Sequence, residues 1–126
     1  MKRILLVDDS RVTRELIKVY LIAKDVELQE AADGVEALRM IRSSPPDLVL
    51  ADLRMPHLDG FGLCQALQAD PRLRKVPVLI LTSNRDQGVE RRLKGAGAVQ
   101  VLLKPIQPQP LHDAIQRHLP SAPVAP

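Results

Sequence analysis

Several short apolar runs in this 126-residue chain each end in a group able to do chemistry. The run 4–7 gives way to Asp8 and Asp9, the run 48–51 to Asp52, the run 76–81 to Thr82, and the stretch 99–103, apolar but for Gln100, to Lys104. Taken singly these residues have plain readings. Asp8 and Asp9 could cap a helix, Asp52 could begin a turn, Thr82 could be an ordinary strand end, and Lys104 could be a solvated charge before Pro105. Gathered at one point they would do more. Two carboxylates about 4 Å apart repel by about 4 kcal/mol at an effective dielectric of 20, so a cluster of acids needs positive charge. A hard divalent cation suits carboxylate oxygens, and Mg²⁺ keeps waters and bridges to phosphoryl groups. A lysine supplies a second positive charge. An Asp nucleophile, a metal, and a Lys and a Thr to hold phosphoryl oxygens make a phosphoryl-transfer site.

Whether the groups meet depends on the elements that carry them. Ile4 to Val7 is continuously apolar, and Asp8-Asp9-Ser10 then opens a helix in which Val12, Leu16, Val19 and Ala23 keep helical spacing. The stretch 26–31 alternates apolar and polar, as an edge strand wetted on one face does. Asp33 and Glu36 frame a capping box, with Val35, Leu38 and Ile41 on one helical face and Pro45-Pro46 after it. A third helix starts at Asp59-Gly60 with Leu63, Ala66 and Leu67, and Asp70-Pro71 ends it. The stretch 86–94 reads as a short basic helix with little apolar face beyond Val89 and Leu93, the least firmly held of the set. Pro108 and Pro110 introduce a last helix bearing Leu111, Ala114, Ile115 and Leu119.

Five strands alternating with five helices imply a parallel sheet with right-handed crossovers and helices on both faces. With the second strand at an edge, the economical topology is a flavodoxin-like, doubly wound (βα)5 fold of order 2-1-3-4-5. Its switch point lies between strands 1 and 3, where Asp8, Asp9 and Asp52 meet. The length suits one domain, read as 1–119, and the Pro/Ala-rich residues 120–126 read as a tail or the start of a linker.

Bulk composition narrows the classes. The 18 Lys plus Arg against 15 Asp plus Glu give +3, but the basic groups 72–75 and 91–94 lack aromatic neighbours to stack bases, so direct nucleic-acid binding is not expected. The apolar stretch after Met1-Lys2-Arg3 is too short for a signal peptide or membrane span, and the lone Cys64 excludes a disulfide framework or zinc site. A cytoplasmic setting without a membrane partner is expected. His57, His112 and His118 receive no role, and Cys64 reads as a small core residue.

The motifs Val7-Asp8-Asp9-Ser10, Asp52-Leu53-Arg54-Met55-Pro56 with Asp59-Gly60, Leu81-Thr82-Ser83 and Lys104-Pro105 are similar in order and spacing to those of receiver domains of two-component response regulators, over essentially the whole chain. The resemblance implies that Asp52 accepts a phosphoryl group from a histidine kinase or phosphotransfer protein. It also implies Mg²⁺ bound by Asp9, Asp52 and the Arg54 main-chain carbonyl, with Asp8 acting through water. Lys104 would contact the phosphoryl oxygens and Thr82 would swing toward them, changing a face that binds an output protein or fused effector domain. A phosphorylation-dependent homodimer is a further partner this resemblance allows. Arg54 and Asn84 would flank the attacking water and tune phosphoryl lifetime. The pattern departs at Val101, where the family usually has an aromatic residue, and at Leu103, usually small or hydroxylated; a phosphorylation-independent interaction module is therefore the alternative. An Asp-based phosphohydrolase is disfavoured because Arg54 stands where its second Asp belongs.

Overall fold

The computed structural model describes residues 1–119 and contains strands β1 (Lys2–Val7), β2 (Val26–Ala31), β3 (Leu48–Asp52), β4 (Val78–Thr82) and β5 (Gln100–Leu103). They alternate with helices α1 (Arg11–Tyr20), α2 (Gly34–Ser43), α3 (Gly60–Ala69), α4 (Gln87–Gly95) and α5 (Pro108–His118). All strand pairs are parallel and the order is β2-β1-β3-β4-β5. The tail read at 120–126 lies outside the described residues.

Strand alternation sends side chains to two cores. Leu5, Val7, Val49, Ala51, Val78 and Ile80 pack with Ala37, Ile41, Leu63, Leu67 and Leu93 beneath α2, α3 and α4. Ile4, Leu6, Leu48, Leu50, Leu79 and Leu81 pack with Ile17, Leu21, Leu111 and Ile115 beneath α1 and α5. Every residue of β3 and β4 is buried, as their apolar runs require, whereas β2 at the edge buries only Ala31 fully and leaves its other residues partly or wholly exposed. α4 buries only Leu93 completely, in keeping with its thin apolar face.

Two helix faces differ from the sequence reading. α1 buries Ile17, and Leu21 just beyond it, while Val12 (78% exposed), Leu16 (42%) and Val19 (61%) face solvent. α1 carries two apolar sets at helical spacing, and only one can pack on the sheet. In α2, Ile41 is buried and Leu38 packs beside the core, but Val35 is exposed and Ala37 takes its place. The cause is close packing at Gly34, where a Cβ would stand 2.2 Å from the Leu58 carbonyl oxygen. That contact sets the rotation of α2.

Candidate functional site

The loop 8–10 is held on every side but one. Asp8 N–H donates to Ala31 O at 3.1 Å, tying the end of β1 to β2. Asp8 Oδ1 accepts from Ser10 N–H at 2.8 Å, and Ser10 Oγ accepts from Thr13 N–H at 3.3 Å. Ser10 is therefore the N-cap of α1, and neither acid is used as a cap. Asp8 is 2% exposed, yet its Oδ2 has no hydrogen-bond partner. A buried carboxylate oxygen without a hydrogen bond is costly, so this atom calls for positive charge beyond the Lys104 ammonium 3.5 Å away.

β3 delivers Asp52 to the same rim. One carboxylate oxygen each from Asp8, Asp9 and Asp52 lies within 4.8 Å of the others. Lys104, just past β5, brings Nζ to 3.3 Å from Asp52 Oδ1 and 3.5 Å from Asp8 Oδ2. Burial pushes the Asp52 carboxyl above its ordinary range and the Asp8 carboxylate adds to the rise; Lys104 and the Arg54 main-chain N–H pull it back. One lysine among three acids leaves a net negative pocket whose candidate metal-binding atoms, among the described residues, are carboxylate oxygens of Asp8, Asp9 and Asp52. That donor set fits Mg²⁺ and does not suit a soft metal.

Close backbone approach shapes the pocket wall. Gly60 N–H donates to Leu53 O at 2.8 Å, and a Cβ at Gly60 would meet Asp52 O at 2.8 Å, so a side chain there would push α3 off the end of β3. Asp59 caps α3 by accepting from Gly62 N–H at 2.8 Å. Between them and Met55, His57 adopts φ 71°, and the Lys104-Pro105 peptide is cis.

Thr82 ends β4 and is 4% exposed, with its carbonyl accepting from Lys104 N–H at 2.8 Å. Its hydroxyl is engaged, accepting from Asn84 N–H at 3.0 Å. The structure thus brings Asp8, Asp9, Asp52 and Lys104 together and sets Thr82 beside them on the same rim. Arg54, with Asn84, Phe61, Val89 and Arg92, lines a groove of about 520 Å³ between α3 and α4, at the foot of the acid rim. Val101 pairs with Ile80 and is half-buried, and Leu103 pairs with Thr82 and is 41% exposed.

Two residues at the site escaped the sequence reading. Arg14 on α1 donates through Nε to Glu30 Oε1 at 2.9 Å and through Nη1 to the Asp8 carbonyl. Glu30 also accepts from Lys18 Nζ at 3.1 Å; Lys18 holds its carboxyl below the ordinary range, partial burial opposes this, and Arg14 adds to it. A basic residue one turn past Ser10 and an acid at the wetted end of β2 were the available signal. The other unassigned groups stay off the rim. His112 Nε2 lies 2.6 Å from Tyr20 O, and burial pushes the Cys64 thiol up to about 12.

Comparison with known proteins agrees with this geometry. The profile of the response regulator receiver domain family matches residues 4–116, and the chain belongs to that family. It is 39% identical over 109 residues to the response regulator PleD of Caulobacter vibrioides, covering 82% of this chain and 23% of PleD. The chain thus spans about a quarter of that relative's length. Among solved structures, the chemotaxis response regulator CheY4 of Vibrio cholerae superimposes with a TM-score of 0.88 at 32% identity, covering 94% of this chain and 99% of that one. The receiver domain of the sensor histidine kinase PA1611 from Pseudomonas aeruginosa, solved with magnesium coordinated in its active-site cleft, gives 0.85 at 32% identity, covering 94% and 97%. The chain is a receiver domain of two-component signalling, and among the described residues no helix is long and apolar enough to cross a membrane.

Proposed function

We propose that this receiver domain is a phosphorylation-activated switch that takes a phosphoryl group onto Asp52 from a histidine kinase or phosphotransfer protein. The observation that carries the reading is Asp8 Oδ2, buried without a hydrogen bond, facing Lys104 and the oxygens of Asp9 and Asp52. In the transfer, an Asp52 carboxylate oxygen bonds to phosphorus as the donor's P–N bond breaks. The departing imidazole nitrogen keeps the electron pair and takes a proton from solvent. Asp8, Asp9, Asp52 and the Arg54 main-chain carbonyl would hold Mg²⁺, which when bound neutralises charge on the phosphoryl oxygens.

Lys104 already stands within ion-pair distance of Asp52 and meets the incoming dianion without moving far. Thr82 must first give up its bond with Asn84 N–H. Turning that hydroxyl toward the phosphoryl group frees the loop at the start of α4, the helix with one fully buried residue. With Val101 in place of an aromatic side chain, α4 carries the change to an output protein or a fused effector domain. The exposed stripe Val12, Leu16 and Val19, running from the first turn of α1 beside the acid loop, suits docking of a helical phosphodonor. A reducing cytoplasm fits the inert, unpaired Cys64.

Intact mass after incubation with Mg²⁺ and a small phosphodonor tests the reading. A single added phosphoryl group, absent in Asp52→Asn and absent when Mg²⁺ is chelated, is the expected result. No adduct, together with no Mg²⁺ binding, would favour an interaction module that works without phosphorylation.

A further inference from the structure

The acid pair is positioned from outside the rim. Asp8 has its Oδ1 fixed by Ser10 N–H and its N–H fixed by Ala31 O, but the orientation of its peptide carbonyl depends on one partner, the Arg14 guanidinium. That guanidinium is itself held: its Nε donates to Glu30 Oε1 at 2.9 Å, and its side chain is only 16% exposed. Glu30 is held in turn by Lys18 Nζ at 3.1 Å, which also pairs with Glu15 at 2.8 Å. A planar fork suits this double duty, because the guanidinium can address a carboxylate and a carbonyl in fixed relative directions, which an ammonium does not.

We propose that Arg14, oriented by Glu30, is a positioning residue for the metal-binding acids: it fixes the Asp8 peptide so that Oδ2 of Asp8 and the carboxylate of Asp9 face the pocket together. The inference rests on the reading of that pocket as a divalent-cation site. Its sign is distinctive. As a bare cation near the acids, Arg14 would repel Mg²⁺ and its removal would tighten binding. As a positioning group, its removal loosens the donor set, and outer-shell partners of metal ligands typically contribute about 10- to 100-fold in affinity.

The experiment titrates Mn²⁺, a hard cation that takes the same oxygen donors, into the metal-free domain and follows free Mn²⁺ by electron paramagnetic resonance. Wild type, Asp9→Asn, Arg14→Met, Arg14→Lys and Glu30→Gln are compared well below their unfolding temperatures, each checked by thermal unfolding in chelator. Wild type binds and Asp9→Asn loses binding if the pocket reading holds; failure of wild type to bind overturns that reading instead. With wild type binding, Arg14→Met is expected to weaken Mn²⁺ about tenfold, Arg14→Lys nearly as much, and Glu30→Gln about threefold. Unchanged or tighter binding in folded Arg14→Met overturns the inference. Should Arg14→Met not fold, unchanged affinity in both Arg14→Lys and Glu30→Gln overturns it equally.

Discussion

Replacing Lys104 with methionine removes the one cation the structure places between Asp8 and Asp52 and keeps most of the stem's volume. At 3.3 and 3.5 Å, and an effective dielectric of about 20, the two attractions are each about 5 kcal/mol before desolvation is counted. Burial of both acids and partial exposure of Lys104, at 26%, reduce the net loss, and leaving a buried charge without its partner costs about 3 kcal/mol at the low end of measured cases. For a chain of this size roughly 4 °C of Tm accompanies each kcal/mol, so Lys104→Met should melt about 12 °C lower in metal-free buffer. Mg²⁺ should then recover much of the loss, because the variant's pocket is more negative, and should raise the variant's Tm more than the wild type's. Thermal unfolding with chelator and with saturating Mg²⁺ measures both. A metal-free Tm within about 2 °C of wild type, or equal Mg²⁺ increments in the two proteins, would refute the electrostatic account of the pocket.

Asp52 titrates against folding. Its folded pKa is raised, so the folded state holds this proton more tightly than the unfolded chain, and ionising the group as pH rises through the folded value costs stability. Asp52→Asn should therefore be the more stable protein at neutral pH without metal, with the gap closing as pH falls below the ordinary carboxylate range; chemical denaturation at several pH values checks this. His57, at φ 71°, should gain about 1 kcal/mol on replacement by glycine, read as a Tm rise of about 4 °C with phosphorylation by a small donor unaltered. Leu16→Glu should leave that small-donor reaction unchanged but slow transfer from a phosphohistidine protein at least tenfold, since it alters only the exposed α1 stripe. Arg54→Ala should change the rate at which the phosphorylated domain loses its phosphoryl group, measured by intact mass over time; an unaltered rate would count against Arg54 as a flank of the water's path.

Much of the architecture was readable because the sheet is parallel and covered on both faces. Continuous apolar runs could only be the inner strands, and the alternation at 26–31 could only be an edge, which together put Asp8, Asp9, Asp52, Thr82 and Lys104 on one rim. The face of α1 was not readable. Val12, Leu16 and Val19 satisfy helical spacing as well as Ile17 with Leu21 does, and only the packing against Ile4, Leu6 and Ile115 selects the second set. The clamp at Asp8 was hidden for a different reason: Arg14 and Glu30 lie 16 positions apart on different elements, and nothing local to either marks the pairing. The close approach of Gly34 to Leu58 and the positive φ of His57 both belong to the loop between β3 and α3, whose path no periodicity reports.

The central claim is that the phosphoryl group resides on Asp52. Borohydride reduction of the domain after treatment with Mg²⁺ and a small phosphodonor, followed by peptide mass mapping, converts an aspartyl phosphate into homoserine at its own position. The account predicts homoserine at position 52 alone, and none when Mg²⁺ is chelated. Homoserine at Asp8, Asp9 or Asp59 with position 52 unmodified would contradict it.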